Sequence, residues 1–191
     1  MSLRIIGGSL KGRILKAPTG PLARPTMSMM RKAVFDICQS YIQNAHFLDL
    51  FACSGAMGIE ALSRGASHAT FIEKDKKTLH YLIENIKTLD LQEKSTCLCG
   101  DVLLQIKRLA LTYDIVYIDP PYPLTERPDK PILDLLHTLD QSSFLSNSCT
   151  LFLEERAPGL FSKESFSFQN LHHKNTRQFG ASLLHQLTNK A

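Results

Sequence analysis

The sharpest chemical signal in the chain is Asp119-Pro120-Pro121-Tyr122. Two consecutive prolines cannot donate to a sheet, so they end a strand rigidly. They also fix where the Asp119 side chain and the Pro120 carbonyl point. The result is two acceptors on stiff backbone, suited to gripping an NH₂ group. Tyr122 adds an aromatic face on which a nucleobase can stack, an interaction worth ~1–3 kcal/mol. The plainer reading, an ordinary proline-rich turn with a capping Asp, fits the neighbourhood less well. Three further acids follow short apolar runs. Asp49 precedes Phe51 and the run Cys53-Ser54-Gly55-Ala56-Met57-Gly58, Glu73 opens Glu73-Lys74-Asp75, and Asp101 sits in Gly100-Asp101-Val102.

The first of these loops resembles a nucleotide-binding turn, because Gly55 and Gly58 let the backbone pass close to a ligand. Gly-x-x-Gly alone also marks any tight strand-to-helix turn. The first glycine of a G-x-G-x-x-G fingerprint would fall at Cys53, which must avoid positive φ or hold a mildly strained conformation. Glu73 lies 18 positions after Gly55. Its two oxygens suit the two hydroxyls of a ribose, whereas Asp75 is the better candidate to cap the next helix. Asp101 fits two roles equally: acceptor for an adenine amino group, or N-cap of the helix from Val102.

These acids need strands to present them. Short apolar runs at 47–51, 69–72, 95–99, 114–118 and 150–153 alternate with helical patterns at 59–64, 76–89, 102–109 and 129–139. Such alternation implies βαβ units and a parallel sheet with helices on both faces. In that arrangement ligands bind outside the carboxyl ends of the strands, where the acids fall. Residues near 164–171 and 181–187 read as a closing antiparallel pair. Before the first strand, 3–16 reads as a hairpin around Gly7-Gly8 and Gly12. A helix carrying Met30, Val34, Ile37, Cys38 and Tyr41 follows, capped by Thr26 or Ser28. The organisation expected is a basic hairpin-and-helix extension over 1–44 on a single α/β domain over 45–191.

Composition narrows the class. The chain has 191 residues, 43% hydrophobic and 21% charged, as expected of a globular protein. No apolar run approaches a membrane span, and the first residues lack a signal core. The five cysteines include no Cys-x-x-Cys pair, so reduced thiols in a cytoplasmic protein are expected. A zinc site from Cys97, Cys99, His172 and His173 fits no common spacing, so no metal is expected. Charge is skewed. Residues 1–35 carry seven basic side chains (Arg4, Lys11, Arg13, Lys16, Arg24, Arg31, Lys32) and no acid, within a net charge of +4. A solvated face would explain a mild skew; this one favours a polyanionic partner.

Taken together, the Asp49/Gly55 loop, Glu73, Asp101 and Asp119-Pro120-Pro121-Tyr122 resemble the class I S-adenosylmethionine-dependent methyltransferases that act on exocyclic amino groups. Arg4-Ile5-Ile6-Gly7-Gly8, Lys11-Gly12-Arg13, Arg24-Pro25-Thr26 with Arg31, and Phe51-Ala52-x-Ser54-Gly55-Ala56-x-Gly58-x-Glu60-Ala61-Leu62-Ser63-Arg64-Gly65 are similar to the bacterial RsmD family of 16S rRNA guanine-N2 methyltransferases. Cys53 departs from the glycine usual there. The resemblance implies a Rossmann-like, mostly parallel seven-stranded sheet with an antiparallel C-terminal strand. It assigns Asp49 and the Ser54-Gly55 turn to the methionine part of S-adenosylmethionine, Glu73 to the ribose and Asp101 to the adenine, with Phe51, Cys53, Lys74 and Val102 in the same cofactor site. Asp119 and the Pro120 carbonyl would hold the guanine amine, and Pro121 would stiffen the turn under Tyr122. Arg4, Lys11, Arg13, Arg31 and Lys32 would grip phosphates of 16S rRNA or a small-subunit assembly particle. Arg24 and Thr26 could instead touch cofactor or target base. A monomer is expected. Rival readings are an amino-methyltransferase on DNA adenine or protein glutamine, a nicotinamide-dependent oxidoreductase, and a non-catalytic RNA-binding assembly protein.

Overall fold

The computed structural model describes residues 3–18, 25–121, 131–159, 161 and 167–190, with backbone alone for 25–27. Seven strands form one sheet: β1 (His46–Leu50), β2 (His68–Glu73), β3 (Ser95–Cys99), β4 (Tyr113–Ile118), β5 (Leu145–Arg156), β6 (Leu171–Phe179) and β7 (Ser182–Asn189). Their order is β3-β2-β1-β4-β5-β7-β6. The first five run parallel, and β7 is antiparallel to both its neighbours. From β1 the chain moves outward to β2 and β3, then returns to β4 on the other side of β1. That reversal opens a crevice at the carboxyl ends of β1 and β4.

The central strands are near-continuous apolar runs because both sheet faces are covered. One face carries α1 (Pro25–Cys38), α2 (Ala56–Ser63) and α3 (Lys76–Thr88) around Phe47, Phe71, Ile115 and Phe152. The other packs α5 (Pro131–Asp140), with Val102 at the start of α4 (Val102–Gln105), against Leu48, Leu50, Val116, Ile118 and Leu153. Strand alternation puts Asp49 and Tyr117 on the α2 face. Asp75 caps α3, accepting from the Thr78 N–H at 2.7 Å.

The segment ahead of α1 is sewn onto that first face. Ile5 and Leu15 enter the same core as Met30, Val34 and Phe35. Its limbs run antiparallel through Ile5 N–H to Arg13 O and Leu15 N–H to Leu3 O, with a single bridge at Arg4 and Ile14. This is a looser pairing than the regular hairpin expected. Three side chains of the α/β core replace the missing ladder. Glu60, fully buried on α2, accepts from the Ile6 N–H at 2.8 Å. Ser63 accepts from the Leu10 N–H and donates to Gly7 O. Asn85 accepts from the Lys16 N–H and donates to Lys16 O and Ser54 O. Gly8, at φ +75°, runs so close that a Cβ would lie 1.9 Å from the Ser63 carbonyl.

Several boundaries differ from the sequence reading. α1 starts at Pro25, so Thr26 and Ser28 lie inside it, not at its cap. Proline at the first helical turn loses no hydrogen bond there. α4 ends after one turn and passes into a 3₁₀ turn at Ile106–Arg108. β5 reaches Arg156, three residues past the expected end. β6 spans Leu171–Phe179 instead of 164–171. It is the edge strand, largely exposed, and its His172-to-Gln178 run is polar for that reason.

Removing the Glu60 carboxylate takes the acceptor from the Ile6 N–H and from the Arg64 Nε–H, and leaves the buried Arg31 without the carboxylate 3.9 Å from its Nε. We expect Glu60→Ala to lower unfolding free energy by about 3 kcal/mol in urea titration; a loss under about 1 kcal/mol would contradict this docking scheme.

Candidate active site

Across the sheet, the acids at the carboxyl edge fall in the order Asp101, Glu73, Asp49, Asp119, Glu154, one for each of β3, β2, β1, β4 and β5. Four strand spacings separate the first from the last, roughly 19 Å. Asp49 is buried on β1, and its Oδ2 accepts from the Gly58 N–H at 3.0 Å. Burial pushes its pKa up to about 7, Glu73 adds to the rise, and the Gly58 bond opposes it. Glu73 is clamped between two loops, its Oε2 accepting from the Cys53 N–H at 2.8 Å and its Oε1 from the Asp75 N–H at 2.7 Å. Each oxygen keeps acceptor capacity for a diol.

The loop after β1 reaches Glu73 through unusual backbone. Phe51, Cys53 and Gly55 stand at φ +67°, +51° and +83°. Cys53 therefore takes the strained alternative, one that costs a residue with a Cβ ~1–2 kcal/mol. Its thiol is pushed up to about 11, chiefly by burial, so it is no nucleophile at neutral pH. Ser54 is buried, and its carbonyl accepts from Asn85. Gly58 lets α2 lie on β2, since a Cβ there would meet the Phe71 ring at 2.2 Å.

Asp101 fills the plainer of its two roles with one oxygen. Its Oδ1 accepts from the Leu103 N–H at 3.1 Å as the cap of α4, whose first residue Val102 is buried. Its Oδ2 meets the exposed Lys74 ammonium at 3.2 Å.

Asp119 follows β4 directly, with Pro120 buried and Pro121 exposed. Its carboxyl is held well above the usual range by burial, then by the negative charges of Glu154 and Asp49. Glu154 is raised by burial, and the Tyr117 hydroxyl donates to its Oε2 at 2.8 Å. Tyr117 itself is raised well above its ordinary value by burial and by these neighbouring acids. Sequence reasoning missed Glu154 and Tyr117. The signal was present: a fifth acid follows a fifth apolar run, one residue past the point where that strand was expected to stop.

Of the basic residues, Arg4, Lys11, Arg13 and Lys32 are exposed. Arg31 is not, and its assignment to phosphate contact is corrected here. It is 5% exposed, its Nη2 donates to the Arg4 carbonyl at 2.6 Å, and Glu60 lies 3.9 Å from its Nε. Arg24, Tyr122 and the Thr26 side chain lie outside the described residues. Cys97 and Cys99 on β3 and His172 and His173 on β6 stand at opposite edges of the sheet.

The fold is that of the class I methyltransferases. A candidate methyltransferase of Escherichia coli called yhhF has the same architecture, with a TM-score of 0.82, 26% identity, and coverage of 100% of this chain and 99% of that one. A candidate methylase of Haemophilus influenzae, HI0767, gives 0.76 at 25% identity, covering 100% of both chains. Among sequences, YlbH of Bacillus subtilis, named as a candidate rRNA methyltransferase, is 35% identical over 149 residues, 75% of this chain and 80% of its own. Ribosomal RNA small subunit methyltransferase D of Escherichia coli K12 is 33% identical over 153 residues, 80% of this chain and 74% of its own. The family described as Conserved hypothetical protein 95 matches residues 3–187, and the chain belongs to that family, the RsmD family.

Two outcomes follow from the loop and its acid. Asp49 ionises near 7 in the folded chain against 3.8 as the ordinary value, so folding binds a proton in that interval and stability falls as pH rises through it. Asp49→Asn should therefore be more stable than the parent at pH 8, by about 4 kcal/mol, with the gain nearly gone near pH 4; equal stability at both pH values would contradict the burial argument. Cys53→Gly should fold with equal or higher stability and keep ligand affinity, measured by thermal melts and calorimetry; a folded variant that binds nothing would mean the thiol side chain itself is required.

Proposed function

We propose that the chain transfers a methyl group from S-adenosylmethionine to the exocyclic N2 of a guanine in 16S rRNA, free or in a small-subunit assembly particle. The observation that carries this reading is the unbroken row of acceptors from Asp101 to Glu154, with Asp119 and the proline-locked turn beside the buried Asp49. Relatives named as small-subunit rRNA methyltransferases add the substrate class. The cytoplasm is the expected compartment, and no described helix is long and apolar enough to cross a membrane.

The donor set fits this cofactor and disfavours a dinucleotide. Glu73 can take the ribose hydroxyls and Asp101 the adenine amine, while Asp49 and the Ser54-Gly55 turn face the methionine end. Phe51, Cys53, Lys74 and Val102 complete the same rim. A pyrophosphate would meet Asp49 and Glu73 with like charge, whereas a sulfonium gains from them. When bound, S-adenosylmethionine supplies an electrophilic methyl on positively charged sulfur.

The residues do the rest. Asp119 and the Pro120 carbonyl accept the two amine hydrogens, which favours a pyramidal nitrogen with its lone pair free to attack. Positive charge builds on that nitrogen as its bond to the methyl carbon forms and the carbon–sulfur bond breaks, its electron pair leaving with sulfur as a neutral thioether, and the Asp119 carboxylate stabilises the charge on nitrogen. The amine proton becomes acidic only then, and an Asp119 Oδ with raised proton affinity takes it up. Tyr122 would stack on a base turned out of its helix. Arg4, Lys11, Arg13 and Lys32, with Arg24 and Thr26, would face the RNA; phosphate contacts of this kind position without reading sequence. Residues 1–44 are thus an RNA-facing extension on the catalytic domain.

Two measurements test this. Asp119→Ala should bind S-adenosylmethionine normally by calorimetry yet lose at least ~100-fold in methyl transfer to small-subunit particles; retained transfer would overturn the assignment. Reversing Arg13 to Glu should weaken RNA binding and shallow the slope of log affinity against log salt by about 1 or more; an unchanged slope would remove the arm from the interface.

A further inference from the structure

The guanine reading gives Asp119 and the Pro120 carbonyl to the amine and leaves a second carboxylate beside them without a role. The parallel register pairs Ile118 with Leu153. One residue further on, Asp119 and Glu154 therefore stand side by side on strands ~4.8 Å apart. Alternation puts both on the face of Tyr117 and Phe152, and the 2.8 Å bond from the Tyr117 hydroxyl to Glu154 Oε2 agrees with that placement. That one donor orients the carboxyl without filling its roughly four lone-pair sites. Glu154 and Asp119 are both half-buried, so each keeps some exposed surface.

Such a pair reads the neighbour of the amine. Adenine carries a bare acceptor, N1, next to its amine, and cytosine carries N3 in the same relation. Guanine alone among the standard bases carries a donor there, N1–H. An acceptor-only carboxylate next to the amine site repels the first two and bonds the third. We propose that Glu154 is the specificity-determining residue, its carboxylate accepting the N1–H of the guanine whose N2 amine is held at Asp119. This rests on the guanine-N2 reading above. The Glu154 carboxylate raises the proton affinity of Asp119, second only to burial. A base bringing N–H groups to both relieves that repulsion, and a base bringing a lone pair adds to it. Tyr117, which touches Glu154 and not the base, is a positioning residue.

The test uses 2-aminopurine, which keeps the guanine amine but has a bare N1. Small-subunit particles are reconstituted with 16S rRNA carrying guanine or 2-aminopurine at the methylated position, mapped beforehand by mass spectrometry. The parent protein should prefer guanine by at least ~10-fold in kcat/KM. In Glu154→Gln the amide can turn its NH₂ to a bare N1, so the ratio should fall toward one or invert. S-adenosylmethionine affinity should stay unchanged, which separates this from misfolding. Tyr117→Phe keeps the carboxylate and should lower both rates while preserving the guanine preference. Methylated guanine with the same base ratio in the parent and Glu154→Gln would overturn the role of Glu154 alone. Methylation of adenine or cytosine amines, or of no base, would overturn the guanine reading and this inference together.

Discussion

Carboxylates lined along one edge of a sheet repel each other, and those sunk into the protein lose their hydration as well. The arrangement persists because backbone donors and strand topology hold the acids in place. Gly58 and Cys53 turn their N–H groups onto Asp49 and Glu73, and the two prolines after Asp119 stop the strand before the chain can move that acid away. The cost is visible at Asp49, Asp119 and Glu154, all of which hold protons more tightly than free carboxyls do. A ligand that is cationic at its centre and rich in N–H and O–H groups at its ends relieves this strain. The edge therefore offers negative charge and acceptors to a ligand on either side of the β1/β4 crevice.

The same edge explains why the N-terminal segment must be fixed. That segment holds exposed Arg4, Lys11 and Arg13, and it would repel nothing and position nothing if it swung free. Glu60, Ser63 and Asn85 anchor its backbone to α2 and α3, the helices that follow the loops after β1 and β2. Arg31 belongs to this anchor: it spends its guanidinium on the Arg4 carbonyl and Glu60, and desolvation lowers its pKa despite the nearby carboxylate. One core thus joins the basic segment to the helices behind Asp49.

Much of this was legible in the residues. The apolar runs before Asp49, Glu73, Asp101 and Asp119 are short, β-rich and separated by helical patterns, which identifies parallel strands and their ligand-facing ends. Three misreadings share a cause, that burial is not written in residue type. Arg31 looks like any basic residue in a basic stretch, and only the packed structure reveals its buried carbonyl partner. β6 is polar because it sits at an edge, so its sequence reads as loop. Glu154 was lost because β5 runs on past its apolar stretch, where pairing with β7 through Glu154 and Leu184 replaces hydrophobicity as the reason for strand. Cys53 shows the converse: the sequence raised the question of positive φ, and the loop accepts the strain to bring its N–H onto Glu73.

The most direct trial of the account is a crystal structure of the chain with S-adenosylhomocysteine and guanosine monophosphate. It should show the ribose hydroxyls on Glu73, the adenine next to Asp101, and the guanine amine within hydrogen-bond reach of Asp119 on the side toward the sulfur. A nucleoside lodged away from Glu73, or a guanine that turns its amine from Asp119, would contradict the claim that this edge of acids is what the fold is built to present.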